Sequence, residues 1–117
     1  MDDARARALL TAERDEVRDL LKNAETAVRQ DRESGADDSP RDAGDAAQPL
    51  AAAATNEDIA RRLRDRLDAI GRALDRLDDG TYGRSVRSGT PIPDQRLEAD
   101  PAAELTIEEA RADQGGR

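Results

Sequence analysis

A chain of 117 residues has room for one domain, but with 36% hydrophobic residues, 39% charged residues and one aromatic, Tyr82, it cannot build a large core. Cysteine and histidine are both absent, which removes thiol nucleophiles, imidazole bases, disulfides and ordinary zinc sites, and with them most enzyme mechanisms. A formal net charge of -8 opposes tracking along a phosphate backbone, so no direct nucleic-acid binding is expected.

From Ala4 to about Asp31 there is no Pro or Gly, and Leu10, Val17, Leu21, Ala24 and Val28 recur at helical spacing. This predicts a first helix over about 4–32. Arg14 falls on the same seam, where its stem can lie along the groove with the head in water. Residues 35–48 are rich in Gly, Pro, Ser and Asp, too polar for a core and short enough to turn the chain back. In the second helix, expected over about 49–79, Ala60, Leu63, Leu67, Ile70, Leu74 and Leu77 alternate steps of three and four, a seam that requires a partner helix. Pro49 suits the first helical position; a start at Thr55, with Asp58 completing a capping box, is the competing boundary. Gly71 inside this helix either costs about 1 kcal/mol relative to Ala or admits a close neighbour. The charged side chains Arg61, Arg62, Arg64 and Arg66 read first as a solvated, ion-paired face.

Gly80 ends the second helix, and beyond it Gly83, Gly89, Pro91, Pro93 and Pro101 mark a compact, turn-rich module over 80–117. Thr106-Ile107-Glu108-Glu109 has the form of a capping box, predicting a short last helix over about 107–112, with the terminal residues fraying. The fold class expected is all-α: a long antiparallel coiled-coil hairpin over 1–79 plus the small module. No apolar run approaches the roughly 20 residues needed to cross a bilayer, and the acidic start is unlike a signal peptide, so the expectation is a cytoplasmic protein with no membrane association.

Asp79-Gly80-Thr81-Tyr82-Gly83, then Gly89, Pro91-Ile92-Pro93 and Arg96-Leu97-Glu98-Ala99-Asp100-Pro101, resemble the C-terminal zinc-finger module of the DksA/TraR transcription regulators. Together with Ala73-Leu74-Asp75-Arg76-Leu77 the similarity covers about a third of the chain in unbroken order. In that family the module carries two Cys-x-x-Cys pairs; the resemblance puts their ligand positions at Ser85, Ser88, Thr106 and Glu109. Hydroxyls and one carboxylate do not replace thiolate donation, so neither a metal nor any other cofactor is expected. Thr106 and Glu109 would then serve as the capping box, and Ser85 and Ser88 would tie down turn backbone; the alternative is a module that is loose without metal.

In the connecting loop, Asp42-Ala43-Gly44-Asp45-Ala46-Ala47 resembles the family's D-x-x-D-x-A tip. The resemblance implies that RNA polymerase is the partner, that the hairpin enters its secondary channel, and that Asp42, Asp45 and Ala47 act near the catalytic centre to alter open-complex lifetime. Arg62 matches a basic position on the family's second helix and so marks a possible polymerase contact. Where relatives hold the alarmone ppGpp with basic side chains, this chain has Ala69, Asp100 and Ala110, so weak or absent ppGpp dependence follows. The bland reading of Asp42 and Asp45 is that they only form turns. A monomeric, non-enzymatic regulator is the leading expectation; a coiled-coil adaptor with another protein partner is the alternative, and a carboxylate hydrolase the weakest, with no pocket or paired base to support it.

Overall fold

The computed structural model describes residues 1–36 and 55–115. It contains four helices in these segments: α1 (Asp3–Ala36), α2 (Asn56–Asp79), α3 (Asp94–Ala99) and α4 (Ile107–Gly115). Among the described residues there is no strand, only one isolated bridge between Arg84 and Pro91. None of the described helices is long and apolar enough to cross a membrane. The class is all-α, as the two seams require.

α1 starts where Asp2 caps it: its Oδ1 accepts the backbone N–H of Arg5 at 2.8 Å, satisfying a donor the first turn cannot pair internally. α2 is described from Asn56, and the expected start near Pro49 lies outside the described residues. Thr55 Oγ1 accepts the Asp58 N–H at 3.0 Å, while Asp58 Oδ2 accepts the Thr55 N–H at 3.4 Å, a reciprocal box at the described start of the helix. Residues 49–54 lie outside the described segments. The exit of α2 is a Schellman turn. Gly80 has φ +80, and the N–H groups of Gly80 and Thr81 donate to the carbonyls of Leu77 (3.4 Å) and Arg76 (2.9 Å).

The two glycines of this region make opposite predictions. A Cβ at Gly71 would meet nothing within 4 Å, so the close-neighbour explanation fails and Gly71→Ala is expected to raise stability by about 1 kcal/mol. At Gly80 the left-handed backbone penalises any Cβ, and Gly80→Ala is expected to lower stability by about 1–2 kcal/mol. Urea unfolding of both variants checks the signs.

The chain divides into two compact units, Glu16–Leu67 and Met1–Asp15 with Asp68–Arg117. In the first, α1 and α2 run antiparallel. Glu25 pairs with Arg64 and Arg32 with Glu57, so each step of seven along α1 is a step of seven backwards along α2. Val17, Ala24 and Ala60 are buried along the seam, with Leu21, Val28, Leu63 and Leu67 half-buried beside them. Asn56 donates to Asp31 at 2.8 Å across the same pair.

In the second unit, Ala6, Leu10, Ile70, Ala73 and Leu77 are buried, all but Leu77 completely. Ile92, Leu97 and Ala103 form a small separate core on which Met1 and Tyr82 pack. The Tyr82 hydroxyl donates to the Pro101 carbonyl at 2.7 Å, which satisfies the polar end of a side chain whose ring serves as apolar filling. Burial pushes its phenol pKa up. Arg5 meets Glu98 with two hydrogen bonds, at 2.8 and 2.9 Å, and Arg7 meets Asp78 at 2.7 Å.

Two details of the module depart from the sequence expectation. α3 occupies a stretch read as irregular, because six residues are too few to display a helical period; Leu97 is its one buried anchor. α4 extends to Gly115, beyond the expected end at 112, and includes Gln114, which was expected to fray. Asp113 in its last turns accepts from Arg87 at 2.8 Å, a tie from 26 residues away that no local pattern announces.

Candidate functional site

Ser85, Ser88, Thr106 and Glu109 converge on one hydrogen-bonded cluster. Ser85 sits in the turn between Gly83 and Gly89, both at positive φ, and its backbone is paired twice with the far side of that turn. Its N–H donates to the Thr90 carbonyl at 2.8 Å and its carbonyl accepts from Gly89 at 2.9 Å. Its Oγ, buried with the rest of the side chain, accepts the N–H groups of both Arg87 and Ser88 at 3.1 Å.

Across from this turn, α4 opens with Thr106. Thr106 Oγ1 accepts the Glu109 N–H at 3.2 Å, and Glu109 Oε1 accepts the Thr106 N–H at 3.0 Å. This capping box aims the Glu109 carboxylate at the serine turn. Hydrogen bonds from the Ser85 hydroxyl, then the Ser88 hydroxyl and the Thr106 N–H, hold its pKa well below the usual carboxylate range, at about 2. Ser88 has one proton for two acceptors, that carboxylate and Thr90 Oγ1 at 3.0 Å.

Three neutral hydroxyls and one carboxylate are a poor fit for zinc, which wants thiolate or imidazole donors. Among the described residues, no three His, Cys, Asp or Glu side chains come together as a metal group. The arrangement instead makes a carboxylate the acceptor that gathers the turn and the helix start. Its consequence is a pH dependence of known sign. The folded pKa of Glu109 lies below the ordinary 4.5, so its contribution is present above pH 4.5 and is lost as pH falls toward about 2. Thermal melts between pH 2 and 7 are expected to show this acid-limb loss and to show less of it in Glu109→Gln.

A second group, unforeseen in the sequence, fastens the module to α2. Glu104 accepts from Arg72 at 2.7 and 3.2 Å and from Arg76 at 3.2 Å. Hydrogen bonding from Arg72 holds the Glu104 pKa down. Arg72 and Arg76 stand one helical turn apart, which hinted at a shared face, but their partner lies 28 to 32 residues onward. Arg76 is only 13% exposed in its side chain, and its Nε and Nη2 have no hydrogen-bond partner.

The remaining candidate residues are not gathered here. Asp42, Asp45 and Ala47 lie outside the described residues. Arg62 is exposed on α2. Of the positions read for an alarmone, Asp100 is engaged in backbone capping, its Oδ1 accepting the Ala102 N–H at 3.1 Å, while Ala69 and Ala110 are half-buried methyl groups.

No protein-family model matches the chain. It is 42% identical over 59 residues to general stress protein 16O of Bacillus subtilis, covering 50% of this chain and 36% of that protein. It is 39% identical over 62 residues to the RNA polymerase-binding transcription factor DksA of Caulobacter vibrioides, covering 50% and 44%. The chain thus spans less than half the length of the curated relatives it matches. Among solved structures, transcription factor DksA2 from Pseudomonas aeruginosa superposes with a TM-score of 0.69 and 28% identity, covering 96% of this chain and 82% of that one. With the turn sequences in place, the helix pair and module formed, and no cysteine anywhere in the chain, this protein is similar in fold and sequence to the DksA transcription factors while lacking every cysteine.

Proposed function

We propose that the chain is a transcription regulator that binds RNA polymerase through the secondary channel and modulates initiation with Asp42 and Asp45, supported by Ala47, at the loop between its two long helices. The observation that carries this reading is the fold-wide likeness to DksA2 together with sequence identity to a DksA named as RNA polymerase-binding. Two carboxylates in that loop suit the task, because they can pair with basic side chains or perturb a bound Mg²⁺ without forming a catalytic pair of their own. Arg62 is a contact to the polymerase. The protein acts as a cytoplasmic monomer, without zinc and without direct binding to nucleic acid.

The former ligand positions support zinc independence, since the Ser85–Glu109 cluster meets its own hydrogen-bonding needs. A methyl group at 69, a methyl group at 110 and a capping carboxylate at Asp100 support weak or absent ppGpp dependence, because none attracts a polyphosphate. The loss of cysteines and of those basic residues also favours a second reading, an adaptor that kept the scaffold and changed its protein partner.

Co-purification with core RNA polymerase separates the two. Retention on the core enzyme, reversed by another factor occupying the same channel, is the expected result; no retention at micromolar concentrations leaves the adaptor. Binding is also expected to be unaltered by a strong chelator and by ppGpp.

A further inference from the structure

α4 is held in the module by other means than its neighbours. α3, only six residues long, sinks Leu97 into the small core, and α2 buries Ile70, Ala73 and Leu77 in the same unit. Across residues 107–114 of α4 no side chain is buried. Glu109 and Ala110 are half-buried, Ile107 is 40% exposed, and the rest are open to water. With nine residues, α4 is also shorter than the roughly 12–15 at which an isolated helix becomes even marginal in water. Neither a buried apolar face nor length accounts for its order, which leaves polar ties.

Those ties converge on one turn. The Ser85 and Ser88 hydroxyls donate to the Glu109 carboxylate, and Arg87, between them, donates to Asp113 at 2.8 Å. Glu109 and Asp113 stand four residues apart, on one face of α4, so a single turn over 85–88 grips the helix at both points. The Arg87–Asp113 pair is half-exposed on both sides, at 50% and 49%, where water and salt compete with it. We propose that α4 is a polar latch: a conformational device that releases from the 85–88 turn and recloses as a unit, while α2 and the Ile92–Leu97–Ala103 core stay folded. Release is reversible for a chemical reason. The Ser85 and Thr106 hydroxyls, buried in the closed form, exchange their partners for water, and no large buried apolar side chain has to leave the core.

Native-state hydrogen exchange on the full chain, followed amide by amide, tests the latch. The Ala110 N–H, bonded to the Thr106 carbonyl, reports on α4; the Ile92 N–H, bonded to the Gly83 carbonyl, reports on the module core; Ile70 reports on α2. Ala110 is expected to exchange at least about tenfold faster than Ile92 and about a hundredfold faster than Ile70. Arg87→Ala changes nothing within α4 itself, yet is expected to speed Ala110 several-fold, with Ile92 and Ile70 within about twofold of wild type. Glu109→Ala, which also removes the helix cap, is expected to speed Ala110 about tenfold. Raising NaCl to about 0.5 M reproduces part of the Arg87→Ala effect in wild type and adds little in that variant. Three results overturn the proposal: Ala110 as slow as Ile70, which makes α4 a fixed part of the fold; Ile92 speeding in step with Ala110, which makes the whole module the opening unit; or Ala110 unmoved by Arg87→Ala, which removes the grip of the turn.

Discussion

Asp45→Asn is expected to leave affinity for core RNA polymerase within about twofold of wild type and to remove the effect on open-complex lifetime. The substitution keeps size and hydrogen-bonding shape while deleting one negative charge, so it separates what the loop does electrostatically from what it contributes as a surface. A tip carboxylate that works on basic side chains or on Mg²⁺ loses its action with its charge. A turn-forming aspartate does not, because Asn bonds its own backbone in the same way and is equally suited to turns. Filter-binding and promoter-lifetime assays on the same preparation read the two quantities separately. A matching loss of binding and effect identifies the loop as an anchor; no change in either returns Asp45 to a structural role.

The second large effect is expected at Glu104. Glu104→Ala leaves Arg76 mostly buried with no carboxylate, on top of two guanidinium nitrogens that already lack partners. Breaking a buried pair from one side costs about 3–5 kcal/mol; the partial exposure of Glu104, 27%, brings the expectation down to about 2–3 kcal/mol. Arg72→Ala is expected to cost less than about 1 kcal/mol, since that side chain is 55% exposed and water replaces much of what it loses. Replacing both partners, Arg76→Met with Glu104→Leu, is expected to recover most of the loss, because the cost comes from an orphaned charge rather than from a missing contact. Urea unfolding at pH 7 checks the order of the three. At lower pH the wild-type contribution of Glu104 also fades, since its carboxyl pKa is depressed and the stabilisation exists only above the ordinary carboxylate range.

These two residues show how differently the parts of this protein can be read. The role of Asp45 is proposed from the resemblance of a contiguous pattern, and its loop lies outside the described residues. Glu104 is invisible in the sequence: it follows two alanines in a turn, and its partners lie on a helix about 30 residues earlier. The same division runs through the cluster of Ser85, Ser88, Thr106 and Glu109. The Thr106–Glu109 box was readable because its partners are three residues apart. That its carboxylate also collects Ser85 and Ser88, and sits near pKa 2 in consequence, depends on a turn folding back over α4.

The amino-acid order alone determined the two long helices, their antiparallel seam, the Gly80 stop and the start of the last helix, because each follows from side chains within a few turns of one another. It placed the start of α2 near Pro49 with Thr55 as the competing boundary; the reciprocal Thr55–Asp58 bonds form in the structure, while residues 49–54 lie outside the described segments. Tertiary structure alone decided the grip of Glu104 on α2 and the tie of Arg87 to Asp113. Both depend on distances between residues far apart in the chain, which periodicity cannot encode: a local pattern reports which face of an element is apolar, while the partner meeting that face is chosen by how the whole chain closes.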